Sequence, residues 1–190
     1  MRYSSVSNLP MIEEQDAVGE IALIYADAKR ELQLPFVPNA IKVLAGSPAA
    51  LAIYWNMIRG FYQHSTLPQP LISMILYTVA EAGHCEYCSA SHELNCRSLG
   101  IDEATLSALA RDLSHVSPQR LRAIIEVAEK AAHAPKSLQA QDFEQVRAEG
   151  VTDEELVEIV QVAALGVFSD IMADALKIEV DAVVAQALGR

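Results

Sequence analysis

Residues 81–100 read EAGHCEYCSASHELNCRSLG, and the spacing of the reactive side chains in this stretch decides how the chain is read. Cys85 and Cys88 are three apart, His92 follows four later, and Cys96 four later again. Residues three and four apart share one face of an α-helix, so the four make a single stripe. No alternation of apolar and polar residues argues for a strand. Gly83 interrupts the apolar segment before the stripe, and Gly100 stops a helix predicted over Cys85 to Leu99.

Helix punctuation continues in both directions. Upstream, residues 16–33 (DAVGEIALIYADAKRELQ) carry Ala17, Ile21, Ile24 and Ala28 close to a 3.6-residue period. LPFVPN then breaks the chain, and Asn39 is expected to cap a short helix ending near Gly46. Ser47-Pro48 supplies a cap and a proline at the first helical position, opening a helix to about His64. After TLPQP, the run LISMILYTVAEA reads as a buried helix. Downstream, Asp102 opens a helix to about Leu113, Ser117-Pro118 another to about His133, and a further helix ends at Gly150. Thr152 and Glu155 form a capping box for the apolar C-terminal segment LVEIVQVAALGVFSDIMADAL. The fold class expected is all-α, a single-domain helical bundle over residues 1–190 with residues 1–15 as an N-terminal arm.

Composition agrees with helix. Hydrophobic residues make up 52% of the 190-residue chain but aromatic ones only 6%, and Ala and Leu cost little in a helix whereas strands favour β-branched and aromatic residues. A chain of this length buries roughly 70% of its unfolded surface, so it needs no covalent staples. Twenty-five acidic residues against fourteen basic ones leave a net charge of −11. Such a surface repels phosphate backbones and anionic lipid, so no nucleic acid and no membrane partner is expected. No apolar run is read as reaching the roughly 20 residues of a bilayer span. The opening residues lack an apolar signal stretch, and a cytoplasmic location is expected.

In a reducing compartment a lone CxxC points to redox or metal chemistry rather than to a scaffold disulfide. Zinc would need ligands from elsewhere. Cys85 and Cys96 are about 16 Å apart along a helix axis, too far for bonds of about 2.0–2.3 Å to one ion, and there is no second CxxC. Two thiols at a helix start can close a disulfide, and the helix N-terminus with a nearby imidazolium favours thiolate. That argument selects Cys85. Lowering a thiol pKa also lowers its nucleophilicity, leaving a net gain of only about threefold for two units. A histidine beside the pair is therefore expected to do more, by returning a proton to the alkoxide expelled from a hydroperoxide, a role worth about 10²–10⁴.

CEYCSASH, with FVPNAIKVLAGSPA before it and AQDFEQVRAEGVTDEELVEIVQVAALGVFSDIMADAL after it, resembles the CxxCxxxH pattern of the carboxymuconolactone decarboxylase and AhpD-like superfamily, closest to its peroxidase-related branch. The resemblance runs through most of the chain. It implies an all-α fold, homo-oligomers, and thiol-dependent reduction of alkyl hydroperoxides with no metal or organic cofactor. It implies Cys88 as the attacking thiol, Cys85 as the resolving thiol and His92 as the proton-relay histidine, with a small-molecule hydroperoxide as substrate and an external dithiol as reductant. The sequence departs from the pattern at Ser73, where the family carries its relay glutamate, and at Tyr87, where some relatives carry histidine. Glu81, two turns after Ser73, is a candidate stand-in, although a structural carboxylate is the plainer reading.

Ser73 also motivates an alternative, a thiol–disulfide exchange partner or redox sensor with little peroxide turnover. Decarboxylase-type chemistry is disfavoured by the cysteine pair, and a scaffold would be indifferent to its loss. Cys96, Tyr54, Trp55, Phe61 and Tyr62 are expected in the core. His64, His115 and His133 fall near helix ends, and His84 in the loop before the motif. The C-terminal helix, apolar on nearly every side, is either buried all round or a subunit interface.

Overall fold

A computed structural model describes residues 7–190; residues 1–6 of the expected N-terminal arm lie outside the described residues. Ten helices follow one another: α1 (Gly19–Glu31), α2 (Asn39–Leu44), α3 (Pro48–His64), α4 (Gln69–Gly83), α5 (Glu86–Ser98), α6 (Glu103–Arg111), α7 (Gln119–His133), α8 (Ala140–Ala148), α9 (Asp153–Leu176) and α10 (Ala182–Leu188). There is no strand among the described residues. The all-α expectation therefore holds.

The caps read from sequence are made. Ser47 Oγ accepts from the Ala50 amide, Asp102 Oδ1 accepts from the Thr105 amide at 2.8 Å, and Thr152 and Glu155 satisfy each other's amides at 3.1 and 2.8 Å. Three boundaries differ. The first helix begins at Gly19 rather than Asp16 because Gly19 takes a left-handed φ of +58°, which a right-handed helix cannot run through. Asn39 is the first residue of α2, and Pro38 holds the cap position. Beyond α9 the chain turns at Lys177, also left-handed, and forms the short α10, which carries no strong sequence signal.

Helices α4, α7 and α9 pack on one another, with α5 laid along α4 and α10 against α5. Ile75, Val79, Ile124, Ile125, Ile159 and Val162 are essentially inaccessible at the centre. Helix α9 runs beside α4 in the same direction, held at three heights. Glu158 accepts from the Thr66 amide at 3.0 Å and from the Ser65 hydroxyl, which ties the start of α9 to the turn before α4. Gly166 faces Val79, and Asp170 faces Gly83 at the end of α4.

The apolar α9 is not buried all round. Ile159, Val162, Ala163, Gly166, Asp170 and Ala173 face inward, whereas Val157 and Ile171 are 69% and 61% exposed on the outer side. The expectation of no membrane-length apolar run is also corrected. By length and composition Asp153–Leu176 could cross a bilayer, with a mean hydropathy of 1.8 over its most apolar window. Half of that window is packed inside the protein, and α9 serves here as a central core helix.

A Cβ added at Gly166 would stand 2.8 Å from Val79 Cγ1 and 3.2 Å from Val79 Cβ. Val79 is fully buried and β-branched, so it has no room to turn aside. Helix propensity alone would credit Gly166→Ala with a gain of about 1 kcal/mol. The packing clash is expected to reverse that sign and cost about 1–3 kcal/mol overall, measurable by urea unfolding.

Candidate active site

The site begins where α4 stops. His84 adopts a left-handed conformation, φ 59°, and the amides of His84 and Cys85 close onto the carbonyls of Glu81 and Ala80 at 3.1 Å each. This closure satisfies end carbonyls that would otherwise lack partners and reverses the chain. It lays α5 back along α4 and leaves Cys85 as the residue that caps α5. Cys85 Sγ accepts the Cys88 amide at 3.3 Å, so it sits where the free amides of a helix start favour negative charge.

A third group comes from α9. One oxygen of Asp170 and the sulfurs of Cys85 and Cys88 all lie within 4.8 Å of one another. Cys85 is 0%, Cys88 3% and Asp170 7% exposed. Neither Asp170 oxygen has a hydrogen-bond partner among the described residues. Burial pushes the Asp170 carboxyl above the usual carboxylate range, opposed by the thiols of Cys88 and Cys85 and by His133. The neighbouring Cys85 sulfur, together with burial and Asp170, pushes the Cys88 thiol far up, so Cys88 keeps its proton.

Two further residues shape this trio. Gly83 lets the carboxylate approach, since a Cβ there would meet Asp170 Oδ2 at 2.9 Å and His133 Cε1 at 3.4 Å. His133 Nε2 is 3.1 Å from the Val79 carbonyl, which holds its ring beside α4. Tyr54, on α3, is driven up to about 12 by burial and by the nearby Cys88, Cys85 and Asp170.

The other sequence candidates fall differently. His92 is not a member of the trio, and desolvation lowers its pKa to about 4, so it is neutral at pH 7 with no carboxylate acting on it. Glu81 lines a separate crevice with Tyr77, Glu93, Arg111 and Arg190. Ser73 is fully buried and accepts from Asn95 Nδ2 at 2.8 Å, a bolt between α4 and α5. Tyr87 Oη donates to Asp181 Oδ2 and accepts the Ala40 amide, both at 3.2 Å, while Asp181 Oδ1 takes the Asn39 amide at 2.9 Å. The residue between the cysteines thus pins the motif to α2 and to the segment before α10. Cys96 lies in the main core, as expected, with its thiol raised to about 12 by burial.

Sequence reading missed Asp170 and His133 as site residues. For Asp170 a signal existed, a single carboxylate within an apolar helical run, GVFSDIMA, which demands a special partner. For His133 none did, because its position depends on α7 crossing α4.

Two pH effects follow, with opposite signs. A carboxyl whose folded pKa is raised costs stability above that value, and the cost vanishes as pH falls below the unfolded value of about 3.9. Asp170→Asn is therefore expected to be more stable than the native protein at neutral pH, with the advantage shrinking on acidification, as read by urea unfolding across pH. His92 has a depressed folded pKa, so stability is lost as pH falls from about 6.5 toward 4. Its ring should stay almost entirely neutral by NMR between about pH 7 and 5; a midpoint near the ordinary histidine value would refute the desolvation.

No protein-family model matches the chain. A 49-residue segment, 26% of this chain, is 39% identical to an (R)-2-haloacid dehalogenase of Pseudomonas putida, and that segment spans only 16% of the dehalogenase. Among solved structures, an uncharacterized peroxidase-related protein from Ralstonia eutropha JMP134 with an alkylhydroperoxidase AhpD core superposes with a TM-score of 0.86 over 95% of both chains, at 23% identity. A variant of the debrominase Bmp8 in complex with 2,3,4-tribromopyrrole superposes with a TM-score of 0.81, covering 98% of this chain and 96% of that one, at 16% identity. With ten α-helices among the described residues and this overlap across nearly the whole chain, the chain has the all-α AhpD-like fold.

Proposed function

We propose that the chain reduces small alkyl hydroperoxides with the Cys85–Cys88 dithiol and that Asp170 moves the proton. The supporting observation is a buried carboxylate, without a hydrogen-bond partner among the described residues, beside a CxxC pair at a helix start. It occupies the role for which the resemblance would use a glutamate at position 73.

The resemblance assigns attack to Cys88. The amide that Cys85 Sγ accepts at the helix start favours the reverse order. Asp170 takes the Cys85 proton, and the thiolate attacks the terminal oxygen of ROOH. The O–O bond breaks, the sulfur becomes sulfenic acid, and the alkoxide leaves as ROH with the proton that Asp170 returns. Such general acid assistance is worth about 10²–10⁴. Cys88 then attacks the sulfenic sulfur, water leaves, and a Cys85–Cys88 disulfide remains. An external dithiol restores both thiols. His92, half-buried and held neutral by desolvation, takes no part in these steps. The enclosure of both sulfurs favours small substrates. A cytoplasmic setting suits this reductant, and self-association through the exposed side of α9 suits its apolar outer residues.

A second reading is reductive dehalogenation, favoured by the fold shared with the debrominase over nearly the whole chain. The same dithiol would convert R–Br to R–H with release of bromide and a proton, itself becoming the disulfide.

The test adds one equivalent of tert-butyl hydroperoxide to the reduced protein and maps thiols by peptide mass spectrometry. Rapid loss of two thiols with a Cys85–Cys88 crosslink is expected. In Cys88→Ser a dimedone-reactive sulfenic acid should form on Cys85, and Asp170→Asn should slow the reaction at least about 100-fold. Thiols that resist peroxide yet oxidise with a disulfide donor would move the assignment to an exchange partner or sensor. Oxidation by a bromopyrrole with stoichiometric bromide release, and none by peroxide, would move it to dehalogenation.

A further inference from the structure

We infer that the reduced protein is also a binding site for a thiophilic d¹⁰ cation such as Zn²⁺, held by Cys85 Sγ, Cys88 Sγ and one oxygen of Asp170. Metal occupancy and the disulfide are then mutually exclusive states of the same two sulfurs. The inference rests on the proposed dithiol being free in the resting protein, but not on its reacting with peroxide.

On one helix, Cys85 and Cys96 cannot share an ion, and the chain lacks a second CxxC. Tertiary packing provides the missing ligand from α9. The three ligand atoms lie within 4.8 Å of one another and all three residues are buried. In a tetrahedral site with bonds of about 2.0–2.3 Å, neighbouring ligand atoms stand about 3.5–3.8 Å apart, so binding requires a contraction of at most about 1.3 Å. Two thiolates and a carboxylate are an ordinary donor set for zinc, and three protein ligands leave a fourth position for water or a small anion.

Asp170 makes the site more than two adjacent cysteines. It is 7% exposed, and both its oxygens lack a hydrogen-bond partner among the described residues. A buried carboxylate without partners is costly, and coordination of a cation is one of the few arrangements that relieves the cost. Gly83 keeps the approach to that carboxylate clear on the α4 side. A cation replaces the thiol protons and brings a site of three potential negative charges to a net charge of −1. Coordinated sulfurs are not free to form a bond with each other, so the ion protects the pair from oxidation until it is withdrawn.

The test titrates the full-length, fully reduced protein with Co²⁺ and then with Zn²⁺ under anaerobic conditions. One equivalent of Co²⁺ should produce thiolate-to-metal charge transfer and the intense visible bands of a tetrahedral ion, displaced by one equivalent of Zn²⁺ with proton release. The disulfide form should bind neither. Asp170→Asn, which preserves shape, should weaken binding by no less than the roughly 10–100-fold that loss of an outer-shell partner costs a metal site. Circular dichroism and a count of reactive thiols verify that the variant is folded and reduced. Absence of the charge-transfer band in the native protein overturns the proposal, as does affinity unchanged in Asp170→Asn. Because these readouts use no peroxide, a protein that binds Zn²⁺ but leaves hydroperoxides intact would sink the peroxidase reading alone. Peroxide reduction without metal uptake would sink only this one.

Discussion

The close approach of α9 to α4 governs the rest of the molecule. Gly166 removes the side chain that would hold the two helices apart at Val79, and Gly83 does the same where Asp170 reaches the end of α4. Glu158 sets the register by gripping the turn that opens α4. With those three heights matched, a carboxylate far from the motif in sequence arrives beside its two sulfurs. A shift of α9 by one residue would rotate Asp170 by about 100° around the helix and out of the site.

The cysteine pair depends equally on how α4 ends. The left-handed His84 reverses the chain so that Cys85 caps α5 and Cys88 lies one turn inside it. Tyr87, bonded to Asp181 and to the Ala40 amide, prevents that turn from swinging. The two sulfurs thus differ before any substrate arrives. One receives a backbone amide, while the other is confined as a thiol by its neighbour and by burial. A buried carboxylate facing both is the kind of costly arrangement that structures retain at functional sites.

The same architecture accompanies a peroxidase-related protein and a debrominase at low sequence identity. Fold therefore narrows the chemistry without choosing it, and the choice lies with the groups that face the reacting atoms. In the proposed reading these are two thiols and Asp170, with Tyr54, Asp174 and His133 as further polar groups close enough to act on them. Tyr87, between the cysteines, and Ser73, on the preceding helix, both make structural hydrogen bonds.

The sequence by itself determined the helices and the pairing of the two thiols, because both depend on neighbours within a turn or two along the chain. Ser47, Asp102 and Thr152 cap their helices through local amides, and the three-residue spacing of Cys85 and Cys88 brings their sulfurs together on any helix start. The reading failed at Gly19, where a left-handed backbone delays the first helix, at Pro38, which takes the cap position expected of Asn39, and beyond Lys177, where α10 was not read. Tertiary structure decided which residues attend the thiols. His92, placed on the cysteine stripe by helical spacing, is desolvated and neutral, and Glu81, considered as a stand-in for a carboxylate at position 73, lines a separate crevice. Asp170 lies beside the sulfurs and His133 beside Gly83 because helix packing brings together surfaces that no periodicity within one helix can relate.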